Sequence, residues 1–175
     1  MTKPFFWGAV LTIALCLPGC EKPKLPQSDY AMGEVVSVGK LKYSVIETVW
    51  RTQLGEAFQV RTPEQRFLLI RISITNGGAK DVSIPLLTLE GPNGKTYREL
   101  QNGEGVDNWI GVLRTISPAQ TAQGNVLFDV PLTSYKLRVP DVNETGFEEY
   151  ATIRIPLQLN PDVPVGTTID PNSLK

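Results

Sequence analysis

The chain has 175 residues, with 17 Lys+Arg against 18 Asp+Glu, two cysteines and no histidine. A net charge of −1 with both signs interspersed argues against a nucleic-acid surface. The missing histidine removes Ser-His-Asp and Cys-His catalysis, the commonest zinc ligand and the usual neutral-pH acid–base group.

The N-terminus comes first. Met1–Pro4 carries one positive charge, Lys3, and Phe5–Leu17 is an uncharged, mostly apolar run of thirteen residues. A membrane span needs about 20 residues, so this run suits a secretory h-region behind a basic n-region. Leu17-Pro18-Gly19-Cys20 closes it and resembles the bacterial lipobox. That resemblance implies a cut before Cys20, a diacylglycerol thioether on its sulfur and an N-acyl chain on the new terminus. Residues 1–19 are then the signal peptide, Cys16 leaves with it, and the mature chain keeps neither a free thiol nor an internal disulfide. Each buried lipid CH₂ contributes about 0.8 kcal/mol, so several chains on one cysteine hold where one would not. By resemblance to lipoprotein sorting, Glu21 in place of aspartate implies the outer membrane if the cell is Gram-negative. Residues 20–29 are the lipidated cysteine and a charged, proline-containing tether, "EKPKLPQSD". Such a stretch buries too little to order itself and spans roughly 28 Å.

Residues 30–159 are punctuated for β structure. Glu34–Val38 and Leu41–Arg51 read as an opening pair around Gly39. Leu68, Ile70, Ile72 and Ile74 alternate with Leu69, Arg71, Ser73 and Thr75, the period of a half-buried strand. "TNGG" (75–78) ends it. Val82–Glu90 follows, with Pro85 marking an edge or bulge. "EGPNGKTY" (90–97) supplies a turn at Asn93-Gly94, and Tyr97 begins the return strand. Gln101–Trp109 is the one place where a short helical turn is expected. Alternation resumes at Val126, Phe128 and Val130, at Tyr135, Leu137 and Val139, and at Ile153, Ile155 and Leu157. Roughly seven to nine short strands, with turn signals at intervals near ten residues, predict an antiparallel, immunoglobulin-like β-sandwich held by apolar packing alone. Residues 160–175, with three prolines, read as a C-terminal tail.

Four stretches carry a family resemblance: "MGEVVSVGKLKYSV" (32–45), "RFLLIRISITNGG" (66–78), "LTLEGPNGKTY" (87–97) and "ISPAQTAQGNVLFDVP" (116–131). Together they resemble domain-of-unknown-function family 4352, an immunoglobulin-like domain of secreted lipoproteins, over about 30–157. The matching positions are turn glycines and inward apolar residues, so the resemblance implies architecture and location rather than a chemistry. Gln120 stands where the pattern wants glycine, and the 101–111 loop is outside what it explains.

Candidate site residues are few. Asp141, Asn143 and Thr145, with Gly146, fall at positions 1, 3, 5 and 6 of a calcium loop. Position 12 would be Thr152, where a bidentate glutamate is needed, and the alternative is a plain Asn/Gly turn. Trp109 and Ile110, in a glycine-rich polar loop, are candidates for partner contact, against a ring folded back to cap the sandwich. A carboxylate enzyme would need two of Glu104, Asp107, Glu148 and Glu149 to converge with Trp109 across a cleft. Arg61, Arg66 and Arg71 read as a solvated sheet face. The sequence therefore favours a non-enzymatic lipoprotein of the cell envelope with no catalytic residue, no metal and no cofactor beyond the lipid on Cys20. Its partners are the membrane and a protein or other envelope macromolecule. The alternative is a carboxylate-using enzyme or a small-ligand or calcium binder.

Overall fold

A computed structural model describes residues 29–56, 59–141 and 150–158. The signal peptide, Cys20, the tether up to residue 28, the tail, and the candidates Asn143, Thr145, Glu148 and Glu149 lie outside the described residues. Eleven strands follow in order. They are β1 (Asp29–Tyr30), β2 (Val36–Val38), β3 (Leu41–Arg51), β4 (Phe67–Asn76), β5 (Val82–Ile84) and β6 (Thr88–Glu90). The rest are β7 (Thr96–Arg98), β8 (Arg114–Ile116), β9 (Thr121–Asp129), β10 (Tyr135–Pro140) and β11 (Tyr150–Ile155).

One sheet has the order β1-β11-β10-β6-β7 and the other β2-β3-β4-β9, with β5 and β8 forming a separate pair. Every pairing is antiparallel except β1 on β11. The count exceeds the expected seven to nine for two reasons. Two very short strands, β1 and β8, carry no readable alternation. Pro85, which has no N–H to give a ladder, splits the 82–90 stretch, so β5 and β6 join different sheets. The 101–109 segment forms turns, and no helix occurs among the described residues.

The two sheets bury the alternating apolar sets against each other. Ile70, Ile72 and Ile74 from β4, Val126 and Phe128 from β9, Leu137 and Val139 from β10 and Ile153 from β11 are all fully enclosed in one cluster. Strand β3 reaches the same end by a less regular route. Its register on β4 shifts between Val45 and Glu47. The extra residue, Ile46, is left exposed, and Thr48 and Trp50 turn inward in phase with Leu41, Tyr43 and Val45. A single inserted residue is what a β-bulge does to side-chain phase; without it Glu47 would enter the core.

Candidate functional site

The 99–111 loop does not stand away from the domain. It runs along the free edge of β9: Leu100 N–H donates to Leu127 O (2.8 Å), Ile110 N–H to Asn125 O (3.1 Å), and Asn125 N–H to Asn108 O (2.8 Å). Unpaired sheet edges invite association with other chains, and this one is covered. Gly124 allows the approach, since a Cβ there would lie 2.5 Å from Asn108 O. Trp109 is half-buried and lies against Gly103, where any Cβ would overlap its ring. Ile110 packs on the main core. The Trp109 ring thus sits folded back, while Leu113, four residues on, is 97% exposed.

Residues 52–56, 59–61 and 100–107 also cross the outer face of the four-stranded sheet. There Leu54, Phe67 and Leu127 form a second small core with Leu69, Leu100 and Val106. Arg61 belongs here rather than on a sheet face: its guanidinium donates to Asn102 O (2.7 Å) and lies over the Phe67 ring. Arg71 does sit on the solvated face, paired with Glu47 at 3.3 Å. Between the loops is an open cleft whose lining includes Glu56, Glu104 and Asp107. Two of the four carboxylates, Glu104 and Asp107, therefore share a cleft, but Trp109 is not part of that lining.

Asp141 lies at the opposite end, its carboxyl against Gly39. Beside it, Tyr43 donates to Pro140 O at 2.7 Å. Burial pushes the Tyr43 phenol far above its ordinary value; the Asp141 charge adds to the shift and Arg114 opposes it. Thr152, the twelfth position of the calcium pattern, is in β11 and donates its hydroxyl to Asp29. No cluster of three metal-ligating side chains occurs among the described residues.

Sequence reasoning missed two features. The first is a buried ion pair. Arg114 on β8 grips Glu99 with both terminal nitrogens (3.0 and 2.6 Å) and donates to Pro85 O (2.8 Å), while Glu99 also accepts from Leu87 N–H (2.9 Å). Their side chains are 2% and 0% exposed. The pair joins the β5–β6 break to the segments after β7 and before β9. The second is a pocket of about 690 Å³ where β1, β6 and β11 end and β10 begins. Its walls are mainly carbon, from Met32, Pro92, Tyr135 and Pro156 among others, and Glu90, Lys136 and Arg154 stand at it. Lys136 is held by Asp29 at 2.9 Å.

The geometry defines a β-sandwich whose β9 edge is covered by the 99–111 loop. The profile described as Domain of unknown function (DUF4352) matches residues 30–152, and the chain belongs to that family. Among solved structures, the yjhA protein of Bacillus subtilis superposes with a TM-score of 0.56 at 15% identity, over 72% of this chain and 98% of its own. A candidate lipoprotein of the same organism, ycdA, gives 0.54 at 16%, over 70% of this chain and 38% of its own. A secreted protein of Mycobacterium tuberculosis, MPT63, gives 0.50 at 15%, over 74% and 97%. At these identities the likeness speaks for the fold alone. No curated protein matches the sequence.

Proposed function

We propose that this is a lipid-anchored, non-enzymatic immunoglobulin-like module of the bacterial envelope, which binds another envelope macromolecule through the loops and strand ends of its sandwich. The observation that carries it is the junction at Leu17-Pro18-Gly19-Cys20: an apolar run, a cysteine of lipobox type, a short tether and then a DUF4352 domain from residue 30. The secreted and lipoprotein descriptions of two fold neighbours support the same location. On this reading Cys20 carries the diacylglycerol and N-acyl chain, and Glu21 directs a Gram-negative host to place the protein in its outer membrane. Cys20→Ser moves the protein to the soluble fraction; continued membrane retention contradicts the anchor. A pull-down of the tagged, lipidated protein from membranes identifies the partner.

The carboxylate enzyme is the second reading, favoured by the shared cleft of Glu104 and Asp107. That cleft lacks the aromatic platform the reading needs, since Trp109 is occupied against Gly103.

A further inference from the structure

From the pocket at the end of the five-stranded sheet, we infer a binding site for a carboxylate carried on an apolar body, with Arg154 as the principal anion-binding group. This deepens the binding-module reading and rests on it. Lys136 and Arg154 are direct cross-strand partners on β10 and β11, and both stand at the pocket. Opposed side chains in such a pair have Cβ atoms about 4.5–5.5 Å apart, and like charges there are destabilising. The surroundings compensate the first charge more closely than the second, although Asp29 feels both. Lys136 has Glu90 as its register partner on β6 and Asp29 against its ammonium. Arg154 has Lys136 on one side. On the other, β1 stops pairing at Tyr30↔Ile153, so no strand flanks it. Arg154 is exposed and has no ion pair among the described residues.

A cation kept beside another cation at the mouth of a carbon-lined pocket is suited to an incoming anion. The guanidinium fork matches a carboxylate in two parallel hydrogen bonds. The Met32, Pro92 and Pro156 side chains and the Tyr135 ring offer surface for an apolar tail. Pockets of a few hundred Å³ with apolar walls and a few placed polar groups are the usual form of a small-ligand site. Glu90 at the rim disfavours a second negative charge on the ligand, which selects a monoanion. An acyl carboxylate and a peptide C-terminus after an apolar residue share this chemistry.

The test is an NMR titration of the mature chain, Cys20–Lys175 with Cys20→Ser, using octanoate and acetyl-Val-Leu with a free C-terminus. The matched controls are octanol and the peptide amide. Saturable shifts confined to residues around Met32, Pro92, Tyr135 and Arg154 are expected for at least one acid, and the tighter of the two identifies the source. Arg154→Gln, an exposed change, weakens it about tenfold or more, the value of a charge-assisted hydrogen bond. Met32→Glu abolishes it. Controls binding as tightly as the acids, Arg154→Gln leaving affinity unchanged, or no saturable shift at millimolar acid each overturn the site. Because position 20 is serine throughout, none of these results bears on the anchor, which stands or falls by the fractionation of Cys20→Ser.

Discussion

Replacing Arg114 by Met tests whether the pair with Glu99 holds the irregular edge of the sandwich. The substitution keeps length and apolar volume but removes two charge-assisted hydrogen bonds to the carboxylate, at 2.6 and 3.0 Å, and one to Pro85 O. Glu99 stays fully enclosed with the Leu87 N–H as its remaining donor among the described residues. Removing one partner of a buried pair costs about 3–5 kcal/mol, because the other charge is left without compensation. A domain of this size has only about 5–15 kcal/mol in total, so the midpoint falls by roughly 10 °C. Replacing both residues, with Glu99→Leu and Arg114→Met, recovers most of the loss, since apolar substitution of a whole buried pair is often near neutral. Urea unfolding of the wild type, both single variants and the double variant gives the coupling energy directly. A loss below about 1 kcal/mol for Arg114→Met, the range of an exposed ion pair, refutes the reasoning.

Gly124→Ala drives a methyl toward Asn108 O and lifts the 108–110 segment off β9. It costs about 1–3 kcal/mol and exposes the 103–111 loop to protease, whereas unchanged protection contradicts the edge-covering role. Alkali provides a second check. Burial, with a smaller effect of Tyr97, raises the Tyr135 phenol to about 12, and Tyr43 is raised further still. The folded state thus keeps these protons longer than the unfolded chain, whose phenols titrate near 10. Their contribution is complete below pH 10 and is lost as pH rises from there through about 12. Stability–pH curves of Tyr135→Phe and Tyr43→Phe lose part of that slope. Acid acts in the opposite sense on Asp29, whose carboxyl is held below its usual value by hydrogen bonds from Thr152 and Lys136; its contribution is present at neutral pH and fades below pH 3.8. Millimolar calcium leaves the melting midpoint where a chelator leaves it, because Thr152 is committed to Asp29; a raised midpoint restores the "DVNETG" loop as a calcium site.

Strands whose side chains alternate between core and water were legible, and β4, β9, β10 and β11 follow the apolar sets read from the sequence. The bulge in β3 was not, because Val45-Ile46-Glu47 looks like a strand whichever residue is squeezed out, and the choice is made by pairing with β4. Strand β1 has two residues, too few for any period. Arg114 and Glu99 are fifteen positions apart and match no motif; singly each resembles a surface charge, and only the chain crossing at Pro85 encloses them. The anion pocket is assembled from residues as distant as Ala31 and Gln158, so nothing local announces it. The sequence leaves Trp109 open between an exposed anchor and a folded-back ring. The glycines at 103 and 124, which make room for the second arrangement, were present in the sequence but had no visible counterpart to approach.

Membrane anchoring depends on what is attached to residue 20. Mass spectrometry of the protein purified from membranes decides it: an N-terminal peptide starting at Cys20 and bearing both the diacylglyceryl thioether and an N-acyl group is the predicted result. A free thiol at that position, or a chain that still begins at Met1, contradicts it.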